Sequence, residues 1–179
     1  MIDSKTVQRL RSETGAGVMD CKRALEEAQG DLEKARDLLR QKGLAAAAKR
    51  SDRQTREGVV ESYIHSGGRI GALVELSSET DFVARSPTFR ELARDLAMQV
   101  AAMAPLVVSE EELTPDTRVE LLKAHGDEKK ALESAVLLRQ PYIRDNSKTV
   151  GDLVSALAAS TGENVRVRRF ARFQLGDAA

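Results

Sequence analysis

An α+β fold is what this chain predicts, and three observations carry the prediction. Apolar residues recur at helical spacing through the first 43 positions, the period drops from 3.6 to 2 at Gly58, and Ser86-Pro87 opens a second long apolar stripe at helical spacing. Composition sets the frame. Of 179 residues, 41% are hydrophobic and 31% charged, as in an ordinary globular protein, so disorder is not expected. Lys plus Arg and Asp plus Glu number 28 each, so the net charge asks for neither nucleic acid nor an anionic membrane as partner. No apolar run approaches the roughly 18 residues that span a bilayer, and the first residues lack the apolar core of a signal peptide. A cytoplasmic location is the expectation. Cys21 is the single cysteine, which excludes an internal disulfide, and with only His65 and His125 beside it no structural zinc and no cofactor is expected.

In chain order, the first 43 residues read as three short helices. Ser4 can cap a segment carrying Val7 and Leu10. Asp20 can cap a second, whose Cys21, Ala24, Leu25 and Ala28 follow the i, i+3, i+4, i+7 pattern. Gly30-Asp31 restarts the chain, Leu32, Ala35, Leu38 and Leu39 share a face, and Gly43 is the expected stop. Gly15 and Gly17 form the turn between the first two helices. A bundle of this size, residues 1–44, is near the lower limit of independent stability. It reads as a module of a larger protein.

Residues 44–57, LAAAAKRSDRQTRE, begin with strong helix formers and carry four basic side chains, so a solvated linker helix over 45–57 is expected. From 58 to 179 a core domain follows. Val59, Glu61, Tyr63 and His65 alternate with Val60, Ser62 and Ile64; after Gly67-Gly68, Ile70, Ala72, Val74 and Leu76 line one face of a second run, which makes a β-hairpin. Ser86 as cap and Pro87 at the first helical position open a long helix with Phe89, Leu92, Ala93, Leu96, Val100 and Met103 on its apolar face, stopped near Pro105. That helix should cover the hairpin. Residues 109–136 read as charged and helical in pieces. Thr149–Ala159 is a further helix with Val150, Leu153, Val154 and Leu157 on one stripe. The run ENVRVRRFARFQL (163–175) alternates as a strand, with Val165, Val167, Ala171, Phe173 and Leu175 on one side. The core is then a small antiparallel sheet packed against helices.

Chemistry is largely absent from the pattern. TGAGVMDCK (14–22) lacks both the G-x-x-x-x-G-K-[ST] phosphate loop and the G-x-G-x-x-G fingerprint. Cys21 lies on an apolar stripe and reads as a small buried hydrophobe; both histidines read as surface residues. No pair of carboxylates is set apart by an apolar environment, so an enzyme is not expected. Arg166, Arg168 and Arg172 fall on one side of the last strand with Phe170 among them, an arrangement a single-stranded RNA platform could use, but no second aromatic on the hairpin completes it. A solvated arginine row is the default. Phe82, one of four phenylalanines, is the remaining oddity. Thr80 can cap a single turn through Arg85 between hairpin and long helix. On such a connection the ring either projects as an anchor for a partner or folds back onto the long helix beside Phe89, and spacing leaves both open.

Three stretches, LRSETGAGVMDCKRALEEAQGDLEKARDLLRQKG (10–43), TDFVAR (80–85) and GENVRVRRFARFQLG (162–176), resemble the elongation factor Ts family in the same order. The first resembles that family's ubiquitin-associated-like three-helix domain, the others its core. The resemblance implies a guanine-nucleotide exchange factor of translation elongation, with elongation factor Tu as partner. Phe82 would enter its G domain near the nucleotide's magnesium site, with Asp81 beside it and Thr80 and Val83 shaping the turn. Arg11, Val18 and Met19 would dock the N-terminal domain, Val18 standing where Met is common in the family. The chain resembles the family's short members, which implies a homodimer, and implies no nucleic acid or membrane. Ser77-Ser78 replaces the more usual Asn-Cys, and residues 109–136 are shorter than the corresponding region of other short members. The reading to set against this one is a protein- or RNA-binding adaptor without exchange activity.

Overall fold

The computed structural model describes residues 2–14 and 16–177, which divide into two compact units, Met1–Arg53 with Ser155–Asn164 and Gln54–Val154 with Val165–Ala179. The chain is mixed helix and sheet, as its periodicities predict.

In the first unit, α1 (Ser4–Thr14), α2 (Val18–Glu27) and α3 (Leu32–Ala48) enclose a core of Val7, Leu10, Cys21, Ala24, Leu25, Ala28 and Ala35. The apolar spacing therefore reports the buried face correctly, whereas the helix ends differ from expectation. Asp3, rather than Ser4, caps α1: its carboxylate accepts from the Lys5 amide at 3.3 Å and its carbonyl from Val7 at 3.2 Å. Helix α2 begins at Val18 behind an extended Gly17, so Asp20 sits in the first turn, where a carboxylate suits the positive end of the helix dipole. Of the expected glycine turn, Gly15 lies outside the described residues. Asp31 caps α3 as its position suggests, accepting from the Glu33 and Lys34 amides at 3.0 and 3.1 Å. Gly43 does not end the helix. It lies in its interior, where an added Cβ would stand 3.0 Å from that of Ala159, so the missing side chain serves close packing. The separate linker helix is likewise replaced: α3 runs on to Ala48, and residues 49–56 leave helical geometry. Asn164, buried, anchors this stretch by donating to the Ser51 and Arg53 carbonyls at 2.9 and 2.8 Å.

The second unit is built on β1 (Glu57–Ile64) and β2 (Ile70–Ser78), paired antiparallel from Glu57 opposite Ser78 to Ile64 opposite Gly71. Gly67 and Gly68 both take positive φ, 88° and 68°, as the turn requires. A short helix α4 (Asp81–Ala84) and the long α5 (Pro87–Met103) follow. Ser86 accepts from the Phe89 amide, and Pro87 occupies the first turn. The buried side of α5, with Phe89, Leu92, Ala93, Leu96 and Val100, packs on the hairpin face that carries Ala72, Val74 and Leu76. Met103, expected on the same stripe, is exposed at the C-terminal end, where Ala104 turns left-handed. Residues 109–136 resolve into a 3-10 turn, α6 (Pro115–His125) and α7 (Glu128–Ala135). A small hairpin, β3 (Pro141–Tyr142) with β4 (Asp145–Thr149), has no counterpart among the sequence expectations. Helix α8 (Val150–Thr161) opens with a reciprocal cap, in which Thr149 Oγ1 accepts from the Asp152 amide and Asp152 accepts from that of Thr149.

The last strand, β5 (Arg166–Gln174), completes the order β1-β2-β5. Its faces are not those of simple alternation. Leu76 pairs with Val167 but Glu75 with Arg169, so Arg168 is an extra residue, a bulge that exchanges the two faces along the strand. Beyond it Phe170 lies opposite Val74 and Arg172 opposite Ala72, on the side covered by α5. Ala171, opposite Leu73, and Phe173, opposite Gly71, turn to the outward face. The expected single side of Val165, Val167, Ala171, Phe173 and Leu175 is thus divided by one inserted residue: the first two are buried and the last three exposed. The arginine row is divided with it. Arg172 reaches inward and donates from Nε to the Ala101 carbonyl at 3.0 Å, and Arg169 pairs with Glu75 at 2.7 Å, while Arg166 and Arg168 stay exposed.

Candidate partner-binding site

The segment between β2 and α5 is shaped by hydrogen bonds that a few polar side chains supply. Thr80 is extended, with φ −123° and ψ 155°, and its Oγ1 accepts from the Val83 amide at 3.4 Å. Its carbonyl accepts from Ala84 at 3.3 Å, and that of Asp81 from Arg85 at 3.0 Å, which closes one helical turn. Within that turn Val83 and Ala84 are buried, and Asp81 and Phe82 face solvent. Phe82 is 84% exposed, whereas Phe89, seven positions later, is fully buried. Of the two orientations that spacing leaves open, the structure has the outward one.

Around the ring, Arg85 Nη2 lies 2.9 Å from Asp81 Oδ2, an exposed i, i+4 ion pair. Ser78, fully buried at the end of β2, donates from Oγ to the Thr80 carbonyl at 2.9 Å, and Ser86 Oγ donates to that of Val83 at 2.8 Å. Sequence reasoning missed these two serines as parts of the site. The available signal was a small hydroxyl residue at each end of the turn.

The other predicted contacts belong to the first unit. Arg11 is exposed in the last turn of α1, and Val18 and Met19 open α2 with 47% and 64% exposure. Adjacent apolar side chains at a helix start, outside the core, form a small exposed apolar patch. The structure therefore gathers Thr80, Asp81, Phe82 and Val83 in one turn and Val18 and Met19 at one helix end. Cys21 is fully buried, its sulfur 3.7 Å from the Ala16 carbonyl. His65 Nδ1 contacts the Tyr63 hydroxyl at 3.2 Å, and His125 Nε2 the Ser134 hydroxyl at 3.0 Å. Among the described residues, no group of three or more His, Cys, Asp or Glu side chains could hold a metal ion, and no helix is long and apolar enough to cross a membrane.

The family model described as Elongation factor TS matches residues 33–123. A protein named Elongation factor Ts from Carboxydothermus hydrogenoformans is 49% identical over 196 aligned positions, covering 99% of this chain and 90% of its own length. Proteins of the same name from Caldanaerobacter subterraneus and Thermotoga maritima are 47% and 46% identical, with 98% and 97% of their lengths covered. This chain belongs to the elongation factor Ts family. It is a translation elongation factor, acting in protein biosynthesis. The 196 aligned positions exceed the 179 residues of the chain, so the Carboxydothermus relative carries residues that this family member lacks.

Proposed function

We propose that this elongation factor Ts family member binds elongation factor Tu carrying GDP and promotes GDP release. The observation that carries the proposal is the 84% exposure of Phe82 on a turn whose other side is buried. A large ring left in water has no role in its own core, and isolated aromatics on a firm base are frequent anchors in a partner's pocket. Family resemblance supplies the pocket: the G domain near the nucleotide's magnesium site, with Asp81 beside the ring and Thr80 and Val83 holding the turn. Arg11, Val18 and Met19 dock the N-terminal module, residues 1–44, and residues 45–57 link it to the core, 58–179.

The mechanism is linkage. The factor does no covalent chemistry; it binds the nucleotide-free partner more tightly than the nucleotide-bound one, and the same differential must weaken nucleotide binding. Each 1.4 kcal/mol or so of that differential changes the nucleotide affinity about tenfold. Displacing the magnesium-site region removes the metal bridge and phosphate contacts, which lowers the barrier to release.

The factor works in the cytoplasm as a homodimer, joined through the open face of the sheet. Val60, Ile64, Leu73, Phe173 and Leu175 are all exposed large apolar residues, and the first four lie on the sheet face opposite to α5. A second copy of the same surface would cover them, as a two-fold interface does.

Release of a fluorescent GDP analogue from elongation factor Tu tests the exchange reading. Fast release by the wild type and its near-loss in Phe82→Ala, with unchanged circular dichroism, is the expected result. No acceleration by the wild type leaves the adaptor reading; equal acceleration by both proteins removes Phe82 from the mechanism.

A further inference from the structure

We infer that the Ser78 hydroxyl is a positioning group for Phe82, tying the exposed turn to the sheet; the inference deepens the exchange reading and rests on it for its functional consequence. A four-residue helix is far below the length that sustains itself in water, so α4 takes its direction from whatever holds it. Burial of Val83 and Ala84 supplies a footing, but apolar contact is non-directional. Direction comes from hydrogen bonds.

The Thr80 carbonyl begins the turn. It accepts from the Ala84 amide at 3.3 Å, and in a helix the carbonyls point along the axis. Its orientation therefore sets the axis of α4 and, with it, the direction of Phe82 two residues later. Ser78 Oγ donates to this same oxygen at 2.9 Å. Ser78 is the last residue of β2, fully buried and paired with Glu57 across the hairpin, so the hydroxyl begins from a rigid strand. Strand, hydroxyl, carbonyl and helix axis form a short chain of directional contacts ending at the ring. Ser86 Oγ makes the corresponding bond to the Val83 carbonyl at the other end, but it also caps α5 at the Phe89 amide, so its removal would confuse two effects. Ser78 caps no helix, so its substitution isolates the positioning.

Two measurements test it. The chain contains no tryptophan, so Phe82→Trp places a sole tryptophan, excited at wavelengths that the two tyrosines do not absorb, at the tip. In that background Ser78→Ala should enlarge the fast, local component of the fluorescence anisotropy decay, with Ser78→Cys, which keeps a weaker donor, between the two. In the Phe82 background Ser78→Ala should lower the maximal rate of GDP release from elongation factor Tu by about three- to tenfold, the range one hydrogen bond supplies, with the half-saturating concentration changed less than about twofold. Unchanged tip anisotropy in a folded Ser78→Ala protein overturns the inference, and an unchanged maximal rate of GDP release overturns its functional consequence. Should Ser78→Ala fail to fold, Ser78→Cys carries the test, and unchanged anisotropy there overturns it equally. Absence of exchange by the wild type would end the exchange reading, while the anisotropy would still decide whether Ser78 orients the tip.

Discussion

Phe82 and Phe89 stand seven residues apart, close to two helical turns, and meet opposite fates: one is 84% exposed and the other fully buried. Were α4 and α5 one continuous helix, the two rings would share a face. They do not, because Ser86 ends one segment and caps the next, and Pro87 resets the register. The ring on the long helix is fixed by sheet packing; the ring on the short one is presented by a footing of Val83 and Ala84 and by three side-chain hydroxyls. The same residue type is core in one segment and surface equipment in the next. A helix long enough to pack chooses its buried face by composition, whereas a single turn has its face chosen by its anchors.

The most severe disturbance of this contrast is expected at Phe89. Phe89→Ala removes a fully buried ring and should cost about 3–5 kcal/mol, lowering Tm by roughly 10 °C in a chain of this size, as read by calorimetry. Phe82→Ala should leave Tm within about 2 °C, since little area leaves water contact, while abolishing most GDP release. A Tm drop comparable to that of Phe89→Ala would mean that Phe82 is packed after all. Phe173 offers a third case, an exposed ring on a flat sheet: Phe173→Asp should keep the monomer fold and shift the sedimentation coefficient from dimer to monomer.

A smaller effect is expected farther along α5. The Tyr142 hydroxyl donates to Asp95 at 2.6 Å, and Tyr142→Phe should cost about 1 kcal/mol in thermal or denaturant unfolding. Burial, then the Asp95 bond, pushes the Tyr142 hydroxyl up to about 12. Its folded value lies above the unfolded one, so its contribution is complete below about pH 10 and is lost as pH rises through 12. The smallest effect lies in the helical unit. Hydrogen bonds from Arg36 and then Arg9 lower Glu13, and backbone amides of Lys34 and then Glu33 lower Asp31. Both contribute above the ordinary carboxylate range near pH 4 and lose that contribution as pH falls through their depressed values. An acid titration followed by circular dichroism should therefore show a slight loss of helix only below about pH 4, and Asp31→Asn should shrink it.

Much of the fold is legible in the sequence because its signals are local. The Ser86-Pro87 start, the Asp31 cap and the Gly67-Gly68 turn each need only a few neighbouring residues, and the stripe on α5 needs only its own period. The misreadings share a different cause. Gly43 reads as a stop because glycine weakens helices, but Ala159, more than a hundred residues away, gives it a packing role. Strands β3 and β4 are too short and polar for a period to register. The bulge at Arg168 has no composition signal, since it is defined by pairing with β2. At the candidate site, the TDFVAR turn and its Thr80 cap are readable; the exposure of Phe82 is implied by the family resemblance but not by spacing, and the reach of Ser78 is not readable at all.

Sequence alone suffices for the helices and the hairpin, for the apolar faces of the long segments and, through three motifs, for membership of the elongation factor Ts family. The direction of Phe82, the exchange of faces along β5 and the place of Gly43 inside a helix emerge only in the folded chain. The physical reason is range. Capping, turn chemistry and periodicity act over a few residues, whereas exposure and register are settled by contacts between segments far apart in the chain.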